Sequence, residues 1–135
     1  MAKISSSTPI IVGVGQCVRH WDGIDSSAAP SPLSLQVEAA RAALADSGAE
    51  KALRTVIEGV GVVRSNLDSI EGIRQPFGRC ANPPATLAAE LGISAACHIY
   101  SGVRGDQPKA LVNAAATAIF SGDVDAVLIA ASEAT

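Results

Sequence analysis

The stretch that most constrains this chain is the run Val124 to Ala131, apolar but for Asp125 and reached through Ser121-Gly122-Asp123. A run of that kind predicts a strand buried on both faces, which parallel sheets covered by helices require. What precedes it fits a strand–turn–helix entry. Cys97-His98-Ile99-Tyr100 is short and β-prone, and Ser101 to Asp106 breaks it with Gly102 and Gly105. Pro108 falls where a first helical turn begins, because its fixed φ and missing N–H cost nothing there. Ala110, Leu111, Ala114, Ala115, Ala118 and Ile119 follow at helical spacing, and Gly122 ends the helix. A glycine turn that feeds a helix N-terminus is where α/β proteins place chemistry, since free N–H groups and the helix dipole converge there.

Upstream, Pro9-Ile10-Ile11-Val12-Gly13-Val14-Gly15 reads as a first strand. It lacks the third glycine and the immediate helix of a dinucleotide turn. Gln16 to Pro32 is a loop. A helix is expected from Pro32 or Ser34 to about Ser47, with Leu33, Val37, Ala40 and Leu44 on its apolar face and Gly48 as its stop. Ala49 to Thr55 adds a short turn. Ile57 to Val63 is the next strand, where Gly59 and Gly61 mark a bulge or a close backbone approach. The irregular span from Arg64 to Ala81 is long for a connection, which makes it a candidate lid, binding loop or subunit contact. Asn82-Pro83-Pro84 opens a helix through Leu91, closed by Gly92. The order β-α-β-loop-α-β-α-β predicts an α/β fold with a mostly parallel sheet.

With 135 residues and 48% hydrophobic content, one core and a single domain over 1–135 are expected. Aromatics are 3%, so that core must be aliphatic. A net charge of −3, without Lys/Arg clusters, gives no reason to expect nucleic acid or a membrane surface as partner. No stretch approaches the roughly 20 apolar residues of a membrane span. Cys17, Cys80 and Cys97 show neither Cys-x-x-Cys nor Cys/His ligand spacing, so reduced thiols, no metal and a cytoplasmic location are expected.

Two segments resemble the thiolase superfamily. Thr8 to Gln16 is similar to the start of sterol-carrier-protein-type thiolases. Phe120-Ser121-Gly122-Asp123 through Ser132-Glu133 resembles the family pattern of Gly-Asp, an apolar strand, small residues and a Glu. The similarity extends over nearly the whole chain, which matches the first half or less of a thiolase subunit. The resemblance implies one half of a fold that joins two similar α/β halves into a five-layered dimer. It also implies chemistry on acyl-CoA, as in acetyl-CoA acetyltransferases, with coenzyme A thioester as substrate and no resident cofactor. A homodimer or a C-terminal partner chain follows from the same resemblance.

Aligned from Gly122-Asp123, the family's nucleophilic Cys falls on Gly105. Arg104-Gly105-Asp106-Gln107-Pro108 instead resembles the Gly-Gly-Asn-x-Pro turn of thiolase-like proteins that have lost the nucleophile, with Arg and Asp replacing Gly and Asn. The family's His region and its Cys-Gly-x-Gly have no counterpart in these residues. Thiolysis by this chain alone is therefore not expected. Gly105 and Asp106 are the candidate ligand-binding residues: the first leaves room for an acyl group, and the second is expected to cap the helix. Cys97 is the substitute thiol to weigh. It lies inside a strand with His98 on the opposite face, so a core position is expected instead. Cys17 and Cys80 read as inert loop thiols. His20 beside Trp21 suits a solvent-facing loop or an adenine contact, and Asp22, Asp25 and Asp68 read as solvated charges. Arg64, Arg74 and Arg79 flank the irregular loop as surface arginines or phosphate contacts. Two other readings stay open: a non-catalytic scaffold, or a fragment whose activity lies elsewhere.

Overall fold

The computed structural model describes residues 5–70, 72 and 76–133. Arg74, Ala134 and Thr135 lie outside them.

Helix α1 spans Pro32–Asp46 and α2 spans Glu50–Val56, followed by β1 (Ile57–Val62), α3 (Pro83–Leu91), β2 (Cys97–Tyr100), α4 (Gln107–Ser121) and β3 (Ala126–Ala130). The starts follow from local chemistry. Ser31 Oγ accepts from Ser34 N–H at 3.1 Å and Asn82 Oδ1 accepts from Ala85 N–H at 3.1 Å. Each cap satisfies a donor that the first helical turn leaves orphaned, and each is followed by proline at the first position. Helix α4 ends on Gly122 at φ 76°, a left-handed stop that a side chain would resist. Residues 49–55, expected as a turn, belong largely to α2 because Glu50 and Arg54 pair one turn apart at 2.7 Å.

The sheet is parallel and three-stranded, in the order β2-β1-β3. Its two faces are built differently. Val60, Val62, Leu128 and Ala130 join Val37, Ala40 and Leu44 of α1 and Leu87, Ala88 and Leu91 of α3 in one core. The alternate residues Gly59, Gly61, Val127 and Ile129 face α4. The two β1 glycines do both things expected of them. The ladder to β3 slips between Ile57 and Gly59, and a Cβ on Gly61 would stand 3.5 Å from Leu111 of α4.

Residues 9–15 are not the first strand that their pattern suggests. They run outside the sheet, where Ile11 is 81% exposed. The glycines are the reason. Gly13 and Gly15 lie flat on α1, where a Cβ would overlap the carbonyls of Ala43 and Ala39, and Val14 N–H donates to Asp46 at 2.9 Å. β3 starts later than expected, at Ala126, because Asp125 N–H is taken by the Glu58 carboxylate at 2.8 Å.

Candidate functional site

The C-terminal ends of the strands converge on one polar rim. Val63 N–H donates to Ala130 O at 2.9 Å, and Ser101 N–H donates to Val62 O at 3.0 Å. Beyond that last ladder bond the chain enters the turn 101–106 and α4. Ser101 is buried. Its hydroxyl accepts from Arg64 N–H at 2.9 Å and donates to Gly102 O at 3.0 Å.

Arg64 is placed firmly. Its Nε donates to Ser101 O at 3.1 Å, and its guanidinium carbon lies 4.4 Å from the centre of the Tyr100 ring. Tyr100 in turn donates its hydroxyl to Asp68 Oδ2 at 2.5 Å. Burial of the phenol, then this bond, push its pKa well above the usual tyrosine range. Asp68 is thus not the bare solvated charge that its loop position suggests. Glu133 closes the other side of the rim by accepting Asn66 N–H at 3.1 Å.

At the start of α4, Gly105 has nothing within 4 Å of where a Cβ would project. The N–H groups of Gly105 and Asp106 have no acceptor among the described residues. Asp106 does not cap the helix, contrary to expectation. Its backbone is already αR (φ −88°, ψ −2°), not the extended form that aims a capping carboxylate at the first turn. Its Oδ1 accepts instead from Gln107 Nε2 at 3.3 Å, while Gln107 Oε1 takes Gly102 N–H at 3.1 Å. A glutamine folded back over the turn is a local signal that the sequence holds but that capping rules do not read.

Cys97 is exposed, not a core residue as expected. It lies at the opposite end of β2 from Tyr100, about 10 Å along the strand at roughly 3.3 Å per residue, against a narrow apolar gap under α4. Cys17 is half-buried, with its thiol donating to Leu35 O at 3.3 Å, and exposed Cys80 sits 2.9 Å from Thr86 Oγ1. His20 is exposed and Trp21 is tied to its own loop, donating to Asp25 O at 2.8 Å. Arg79 is exposed and joins none of these contacts. No group of three or more metal-ligating side chains assembles among the described residues. Nor is any helix among them long and apolar enough to cross a membrane.

No family model and no curated protein matches the chain. Among solved structures it is similar to a monomeric SCP2-thiolase-like protein, type 1, from Mycobacterium smegmatis. The TM-score is 0.77 at 28% identity over 98% of this chain. The chain is thiolase-like. It spans 25% of the length of that neighbour. The sequence resemblance and the α/β fold class agree with this likeness.

Proposed function

We propose that this thiolase-like domain binds an acyl-CoA thioester at the start of α4 and does not perform thiolysis by itself. The open turn carries the reading. The resemblance aligns Gly105 with the family's nucleophile, nothing lies within 4 Å of where its Cβ would project, and two unengaged N–H groups stand at the C-terminal end of a parallel sheet. The Asp106 carboxylate disfavours a full anion beside those donors, so a neutral thioester carbonyl suits them better. Three free thiols and the acyl-CoA reading agree with a cytoplasmic place in lipid metabolism.

Calorimetric titration with acetyl-CoA, alongside thiolysis of acetoacetyl-CoA, tests this. Binding without turnover is expected, and Gly105→Val should remove the binding. Turnover abolished by Cys97→Ala would overturn the reading and make Cys97 the nucleophile.

A second reading, assembly, is favoured by the outward face of α4. Val112 is 50% and Phe120 61% exposed, and Lys109 is the helix's sole charge. An outward face that shows Val112 and Phe120 with only Asn113, Thr117 and Lys109 for polarity suits a second layer, supplied by a copy of the chain or a C-terminal partner. Light scattering decides: a concentration-independent monomer would sink the homodimer.

A further inference from the structure

We infer that Arg64 anchors a carboxylate carried on the acyl group, so that the ligand is a short dicarboxylic acyl thioester. The inference rests on the acyl-thioester reading above and names its substrate class. A donor and acceptor inventory of the rim leads to it. Each carboxylate there already accepts: Asp68 from Tyr100, Glu133 from Asn66, and Asp106 from Gln107. The donors left over are the backbone groups at the start of α4, the exposed side chain of Arg104, and the two terminal nitrogens of Arg64, which have no partner among the described residues. Arg19 and Arg54 hold Glu38 and Glu50, and Arg41 reaches Glu90 O, whereas Arg79 and Arg104 are exposed with no contact among the described residues to fix their forks. Arg64 is held by stacking and by its Nε, yet its fork stays unused. Such a fork is preorganised for a planar oxyanion, and little freedom remains to be lost on binding.

Position selects the source of that oxyanion. Arg64 is bonded to Ser101, and Gly105 is four residues further on, at most ~14 Å away even for extended chain. The phosphates of CoA are separated from the thioester by the whole pantetheine arm, which leads away from the acyl end. A carboxylate at the far end of a short acyl chain stays close to the thioester, within the span that separates Gly105 from the residue Arg64 holds. Asp68 and Glu133 lower the local potential, so the fork should discriminate by geometry, not by charge alone.

Titration of the full chain with succinyl-CoA and with butyryl-CoA, equal in carbon number, tests the assignment. Wild type should bind succinyl-CoA about tenfold tighter, the size expected for one charge-assisted pair. Arg64→Gln should erase that preference by weakening succinyl-CoA about tenfold more than butyryl-CoA, while Arg64→Lys, which keeps the charge but not the fork, should retain only part of it. Equal affinity of wild type for both thioesters would overturn the inference alone. Equal weakening of both by Arg64→Gln would do the same, reducing Arg64 to a structural brace. Failure of folded wild type to bind either thioester would overturn the acyl-CoA reading and the inference with it.

Discussion

The two faces of the sheet solve the same packing problem with opposite residues. Toward α1 and α3, β1 presents Val60 and Val62, and Leu87 of α3 is 0% exposed. Toward α4 it presents Gly59 and Gly61, and an apolar gap of about 30 Å³ persists between sheet and helix. The outer sides differ in the same sense. α1 carries Glu38, Arg41 and Asp46 toward solvent, whereas α4 carries Lys109 alone. The α1/α3 face is a finished core, with charged residues of α1 outside it and the exposed apolar segment 9–15 laid over α1. The α4 face is close-set and thinly packed, and the helix outside it is poor in charge and exposes Val112 and Phe120, as a layer awaiting a cover would. Stability should therefore reside on the first face and recognition on the second.

The largest test of that division is a matched pair of truncations. Leu87→Ala should cost about 3–5 kcal/mol, because a fully enclosed site cannot collapse around the void. Leu111→Ala, on α4 beside the existing gap, should cost about 2 kcal/mol, at the low end of the same range. Urea denaturation of both variants reads the difference, and equal losses would mean that the two faces are equally built.

Much of this architecture is legible in the sequence, for reasons that differ by element. Helices α1 and α3 announce themselves because cap, proline and terminal glycine agree with apolar spacing, and α4 does so by proline, glycine and spacing without a cap. β1 and β2 are legible because short β-prone runs are bracketed by turn residues. Pro9 to Gly15 misleads because its pattern satisfies a strand while its glycines suit an approach to α1, and only the helix surface decides between them. In the site, Gly105 is visible as a missing side chain. The Arg64–Tyr100–Asp68 arrangement is not visible, since its members come from separate segments that meet only when β1 and β2 pair. The Asp106 cap fails for a smaller reason: the neighbouring Gln107 offers its carboxylate a partner.

A smaller effect separates the two β1 glycines. A Cβ on Gly59 would stand 3.1 Å from Val127 Cγ2, whereas one on Gly61 meets Leu111 at ordinary contact distance. Gly59→Val should therefore cost about 1–3 kcal/mol through overpacking. Gly61→Ala should stay within about 0.5 kcal/mol, its added methyl resting on α4 without strain. Thermal melts of the two variants would show whether α4 is held at a fixed height above the sheet. A large loss for Gly61→Ala would mean that α4 sits tighter than the gap beside it suggests.

The smallest effect reaches the rim through pH. The Tyr100 phenol is raised by burial and by its bond to Asp68, so the folded chain keeps this proton when the unfolded chain, near the ordinary value of about 10, gives it up. Between those two pKa values the native state binds more protons than the unfolded state, and stability must fall as pH rises. The contribution is complete below about pH 10 and is lost progressively above it. Tyr100→Phe removes both the ionisation and the bond to Asp68. The variant should be slightly less stable than wild type at pH 8, and the gap should narrow as pH climbs past 10. Denaturation midpoints across that range are the measurement. A gap that stays constant through pH 11 would mean that neither burial nor Asp68 holds the proton on the hydroxyl, and the brace that fixes the Tyr100 ring beneath Arg64 would lose its support.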